Sequence, residues 1–216
     1  MQVSEVSSGT LRSVPYVLGP IENNTYLLYD EEETKDCVVI DPSFGFDRVI
    51  PDIEKRGLKP REIWLTHGHF DHFVGTGYPA SLALGIDAHM HALDESVFKG
   101  YRQSMASSVP FIKDCPLPVL DLDDGGTLRV GKYEFTTLLT PGHSPGHCCF
   151  YCKAAGWLYS GDLVFWHSYG RTDLPGGSED ALMASIREKV LVLPDDTLIM
   201  PGHNDFTSVR GERMFY

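Results

Sequence analysis

Short apolar runs with strand character, bounded by turn-forming residues, recur along the chain and are interrupted by three stretches of helical spacing. Residues Asn24 to Ile40 read as a hairpin, with Tyr26–Tyr29 and Cys37–Ile40 joined through the acidic turn Asp30–Lys35. Val49, Ile50 and Ile53 have helical spacing, with Pro51 tolerable only near the first turn and Gly57 as the cap. A second helix is expected over Thr76 to Leu84, closed by Gly85, followed by a strand over Ile86–Met90. Gly100 to Pro118 carries three prolines and no clear period, which suits a lid or a loop insertion. The turn Asp123-Asp124-Gly125-Gly126 precedes strands at Thr127–Val130 and Tyr133–Leu139. Glu179–Val190 then reads as an amphipathic helix with Leu182, Ile186 and Val190 on one face. There is no internal repeat, and one α/β domain over residues 1–216 is expected.

Four of the apolar runs end alike. Glu62–Thr66 leads into His67-Gly68-His69-Phe70-Asp71-His72, and Phe135–Thr140 into Pro141-Gly142-His143. Trp157–Ser160 leads into Gly161-Asp162, and Thr197–Met200 into Pro201-Gly202-His203. One Pro-Gly-His is weak evidence, because isolated exposed histidines are common; the repetition carries the signal. Open α/β architectures place their sites beyond one end of the strands, so these residues are candidates for a shared two-metal site. Along an extended chain His67 and His69 project to one side, and a turn or helix starting at Phe70 brings Asp71 and His72 to the same point. Imidazole and carboxylate ligands suit zinc, iron or manganese. Asp41, at the end of the hairpin, either orients a ligating histidine or forms a plain Asx turn. His89 and His91 imitate a ligand pair, but nothing nearby completes a site, so structural or surface roles are expected for both.

Hydrophobic residues make up 42% of the chain, enough for a filled core, and the formal net charge is −12. That field repels polyanions, so neither nucleic acid nor an anionic membrane is an expected partner. No apolar run is long enough to span a bilayer. Met1-Gln2-Val3-Ser4-Glu5 has neither a basic start nor an apolar signal region. The odd set Cys37, Cys115, Cys148, Cys149 and Cys152 points to reduced thiols and a cytoplasmic location. Cys149 and Cys152 have clip-like spacing but lie in the β-like run 148–152, where core packing is expected.

The ligand pattern from His67 to His203 resembles that of the metallo-β-lactamase fold hydrolases. The resemblance implies an αβ/βα four-layer sandwich, two sheets packed face to face between outer helices. It further implies one metal on His67, His69 and His143, a second on Asp71, His72 and His203, and Asp162 bridging both. Several lactamases of the family have Cys at the position of Asp162, so the aspartate favours the larger hydrolase branch. Thr140–His147 and Gly170–Gly177 are similar to the short glyoxalase II-like hydrolases, in which His147 is expected to support the site rather than ligate. Long glyoxalase II enzymes add a C-terminal helical domain that helps bind glutathione; the branch expected here is the short one without it. This chain also has Asn204-Asp205 where many relatives have Gly or Glu.

The expected chemistry follows from the ligands. Two divalent ions, zinc first, against two carboxylates and one bridging hydroxide leave a net positive centre that attracts a developing oxyanion. Metal coordination lowers the pKa of water from about 15.7 to about 7, giving a nucleophile at neutral pH. Asp71 and Asp162 are the carboxylates assigned to catalysis. A thiol with a pKa near ~8.5 leaves without a strong general acid, which suits a thioester. The leading expectation is therefore hydrolysis of S-2-hydroxyacylglutathione or a related acyl thioester. Arg171 is the candidate for the substrate carboxylate, with an ion pair to Asp173 as the equal alternative. Two other classes stay open: a mononuclear iron persulfide dioxygenase and a metal-stabilised binding protein without turnover.

Overall fold

The computed structural model describes residues 4–216; the reading of the N-terminus as lacking a signal falls in part on residues 1–3, outside the described residues. The expected hairpin lies inside a six-stranded sheet of β1 (Val6–Ser8), β2 (Leu11–Leu18), β3 (Asn23–Asp30), β4 (Asp36–Ile40), β5 (Lys59–Trp64) and β6 (Asp87–His89), in that order. The first four strands are antiparallel, and β5 and β6 continue parallel to β4. The second half of the chain supplies β7 (Thr127–Val130), β8 (Tyr133–Leu139), β9 (Cys148–Cys152) and β10 (Trp157–Gly161). A small ribbon of β11 (Val164–Phe165) and β12 (Ser168–Tyr169) follows, then β13 (Leu198–Pro201) and β14 (Thr207–Ser208). The second sheet has the order β14-β13-β10-β9-β8-β7, and within it β10 and β13 run parallel.

Period-two alternation sorts each strand between two cores. Tyr26, Leu28, Val38, Ile40, Trp64, Phe135, Cys148, Phe150 and Tyr159 fill the space between the sheets. Leu27, Val39 and Ile63 face outward onto α1 (Ile50–Lys55) and the helices that follow β5. On the far side Cys149, Leu158 and Ile199 meet Leu182, Ile186 and Val190. The result is helix, sheet, sheet, helix, the architecture of a metallo-β-lactamase fold. All five cysteines are buried and free. No helix among the described residues is long and apolar enough to cross a membrane.

Three elements differ from the sequence reading. The helix expected over Thr76–Leu84 is broken into a tight turn at Val74–Gly77 and α3 (Pro79–Leu82), after the one-turn α2 (Phe70–Phe73). Pro79 forces Tyr78 out of the helical region, to φ −67° and ψ 142°. Gly100–Pro118 is not wholly irregular: its first residues end α4 (Glu95–Ser104), whose one fully buried side chain, Phe98, leaves little period to read. Finally, α5 (Glu179–Ser185) widens over Ile186–Val190, where Leu191 N–H donates to the Ile186 carbonyl five residues back. The short α6 (Val209–Glu212) follows β14.

Candidate metal centre

The loops after β5, β8, β10 and β13 converge at one edge of the sandwich and deliver seven side chains to it. His67 and His69 leave β5 on an extended backbone, and α2 begins at Phe70 and turns Asp71 and His72 inward. His143 follows β8, Asp162 follows β10 and His203 follows β13. Gly202 is required where β13 ends, because a Cβ there would lie 2.4 Å from Asp162 Oδ1.

The donors fall into overlapping groups. His143 Nε2 lies 3.2 Å from His67 Nε2 and 2.7 Å from His69 Nδ1. Asp71 Oδ2 lies 3.5 Å from His72 Nε2 and 3.3 Å from His203 Nε2. Asp162 stands between the groups, with Oδ1 3.4 Å from His72 Nε2 and Oδ2 3.5 Å from His143 Nε2 and 3.6 Å from His203 Nε2. All seven residues named from the sequence meet here.

Four of the five imidazoles have the ring nitrogen facing away from the centre anchored to oxygen. His72 Nδ1 donates to Asp41 Oδ2 at 2.8 Å, and His143 Nδ1 to the Arg171 carbonyl at 2.7 Å. His203 Nδ1 donates to the Ile21 carbonyl at 3.0 Å. His67 Nδ1 meets Thr66 Oγ1 at 2.9 Å, and that hydroxyl donates to Asp41 Oδ2 at 2.7 Å. Asp41 thus orients two histidines, one directly and one through Thr66, and it does so from a positive φ of 51°. The fifth, His69, presents Nδ1 inward; its Nε2 is buried without a hydrogen-bond partner among the described residues, and its ring packs edge-on against Tyr101 at 5.1 Å.

Burial pushes His67 well below the ordinary imidazole range, and His69 down to about 3, with neighbouring imidazoles adding to the effect. Burial acts the same way on His72, but Asp162, Asp71 and Asp41 outweigh it and raise its pKa. At His203 Asp162 and Asp71 likewise overcome burial. Burial opposes ionisation of Asp71 and Asp162, yet His72 and His203 hold both carboxyls low. One group is therefore built of imidazoles alone and the other includes carboxylate. These residues fit two cations: Asp162 Oδ1 is buried with no hydrogen-bond partner among the described residues, and three imidazole nitrogens converge on one point.

His147 does not face the centre. Its Nδ1 donates to Thr140 Oγ1 at 2.9 Å and its Nε2 accepts from the Asp162 N–H at 3.0 Å, fixing the backbone of the shared carboxylate. Arg171 offers the centre its carbonyl. Its guanidinium is exposed and forked onto Asp173, at 2.7 and 2.8 Å, so the alternative weighed for it is the one the structure adopts. His89 pairs with Asp121 at 2.9 Å and His91 accepts from the Leu93 N–H, both away from the centre.

Sequence reasoning missed Asp94 and Asn24. Buried Asp94 accepts from Gly68 N–H at 2.7 Å, Ser144 Oγ at 2.6 Å and Gly146 N–H at 2.5 Å, tying the loop of His67 and His69 to that of His143. Asn24 Nδ2 donates to the Pro201 and Asn204 carbonyls, both at 2.9 Å, and holds the turn that carries His203. Nothing in the local sequence marks Asp94; Asn24, in the polar run before Tyr26, had a weak signal.

The profile of the metallo-beta-lactamase superfamily matches residues 18–203. The chain belongs to that superfamily. It is 35% identical over 197 residues to the probable metallo-hydrolase YqgX of Bacillus subtilis, covering 91% of this chain and 92% of that protein. It is 33% identical to the hydroxyacylglutathione hydrolase GloC of Haemophilus influenzae, covering 89% and 90%. Human mitochondrial persulfide dioxygenase ETHE1 is 32% identical, with 83% of this chain matching 63% of that protein. Among solved structures, TTHA1623 in a di-iron-bound form superposes with a TM-score of 0.79 at 38% identity, covering 92% of this chain and 96% of that one. The superfamily assignment and the donor set make this a metallo-hydrolase-like, metal-binding chain.

Proposed function

We propose that the chain is a dinuclear metal-dependent thioesterase, acting on S-2-hydroxyacylglutathione or a related acyl thioester. The observation that carries it is Asp162, whose two oxygens reach towards both groups of histidines. When bound, two divalent ions supply a nucleophile from water at neutral pH and polarise the scissile carbonyl. His67, His69 and His143 would hold one ion, and Asp71, His72 and His203 would form the more anionic seat beside it. Asp41, Thr66 and the Arg171 carbonyl hold the imidazoles in the tautomer that ligation needs. A thiolate leaves without a strong acid, which suits a centre built from bases alone. The likeness to GloC supports a hydroxyacylglutathione substrate. A substrate carboxylate at Arg171 must displace Asp173 from the guanidinium, which makes that residue a weaker anchor than a free cation.

The likeness to ETHE1 favours a second reading, a single iron with persulfide dioxygenase activity. The complete group of Asp71, His72 and His203 argues for the dinuclear one. Assays on lactoylglutathione and, with an oxygen electrode, on glutathione persulfide separate them. Thioester cleavage without oxygen uptake supports the proposal; oxygen uptake with persulfide and no cleavage overturns it.

A further inference from the structure

A cavity of about 500 Å³ opens beside the centre, walled by Val97, Gly100 and Tyr101 of α4 and by Pro145, Pro175 and Gly176. Three of these walls adjoin the candidate metal site in space or along the chain. Tyr101 packs on His69, and Pro145 lies two residues past His143. Pro175 belongs to the loop whose Arg171 carbonyl holds His143. No charged side chain among the described residues lines the cavity. Its volume lies within the range of roughly 300–1,000 Å³ typical of pockets for drug-sized ligands, much more than an acetyl or lactoyl group fills.

Gly100 is the informative wall. It sits inside α4, where glycine is less favourable than alanine. A Cβ at Gly100 would meet no atom within 4 Å, so neither packing nor a positive φ explains the residue. A side chain at this exposed position would project into open space at the cavity wall. We propose that this cavity is an acyl subsite, favouring among acyl thioesters those whose acyl group is a medium-length aliphatic chain or an arene over those with a two- or three-carbon acyl group. The proposal rests on the thioesterase reading and narrows its substrate class.

The test uses the metal-loaded protein and N-acetylcysteamine thioesters from acetyl to octanoyl, together with acetyl thioesters of thiols of increasing size. For the acyl series kcat/KM is expected to rise about threefold to fourfold per methylene until the cavity is filled, the factor corresponding to ~0.8 kcal/mol per buried methylene. Gly100→Leu fills the cavity from a position with room for the side chain. It is expected to lower the octanoyl-to-acetyl ratio of kcat/KM at least tenfold, with metal content and Tm no lower than in the parent. Turnover independent of acyl length, an unchanged ratio in Gly100→Leu, or a loss that follows the thiol instead of the acyl group each overturns the subsite while leaving the thioesterase reading intact. Absence of turnover on every thioester removes both.

Discussion

Asp41 accepts a hydrogen bond from His72 Nδ1 at 2.8 Å and reaches His67 through the Thr66 hydroxyl, so one buried carboxylate orients donors in both halves of the centre. Asp41→Asn keeps the size but weakens acceptance from His72 and Thr66. Loss of such an outer partner lowers metal affinity about 10- to 100-fold. Competition with a chromophoric chelator is expected to show weakening for both ions; unchanged affinity would mean that the histidines hold their orientation without Asp41.

Asp162 and His203 separate shared from single-site donors. Asp162→Ala is expected to deplete both metals and abolish turnover, because its two oxygens face different groups. His203→Ala is expected to lose about one equivalent and keep the ion held by His67, His69 and His143. Elemental analysis of both variants after identical reconstitution checks this. Full metal retention in Asp162→Ala contradicts the bridging assignment.

Asp94→Ala strips three donors of their acceptor at once: the Gly68 and Gly146 amides and the Ser144 hydroxyl. Each buried group left unsatisfied costs about 1–3 kcal/mol, partly relieved where water enters. A loss of about 3 kcal/mol or more in denaturant-derived stability is expected, measured on metal-free protein so that the scaffold is read apart from the metals. Asp94→Asn is expected to recover part of it.

A second carboxylate sets a pH dependence away from the centre. The Tyr16 hydroxyl donates to Asp52, whose other close partner is Arg56 Nε at 2.8 Å. The Tyr16 hydrogen bond lowers the Asp52 pKa; partial burial opposes the shift, and Arg56 reinforces it. Because the folded value is depressed, the stabilisation is complete above the ordinary aspartate pKa and is lost as pH falls through the folded value. Asp52→Asn is expected to cost about 1 kcal/mol at neutral pH, with the difference shrinking in acid. Urea unfolding of metal-free protein at a series of pH values reads this directly, and a difference constant with pH would contradict it.

Much of the layered fold was legible because strand alternation leaves little choice of face. The convergence of the candidate donors was legible because histidine and aspartate, repeated after glycine turns at strand ends, have few packing reasons to recur there. Asp94 was not, since its partners lie 26, 50 and 52 residues away and an acid before a helix has many ordinary explanations. The start of α4 was hidden because that helix buries only Phe98 fully. For Arg171, residue type allowed both a substrate carboxylate and Asp173, and only the geometry of the loop selects the two-residue fork.

The central claim is that one chain holds two metals in a shared centre. Titrating metal-free protein with a divalent ion, while reading both bound metal and thioester hydrolysis, tests it most directly. Binding is expected to approach two equivalents per chain, with full activity only after the second. Saturation at one equivalent under metal excess, with activity already complete, would contradict the account.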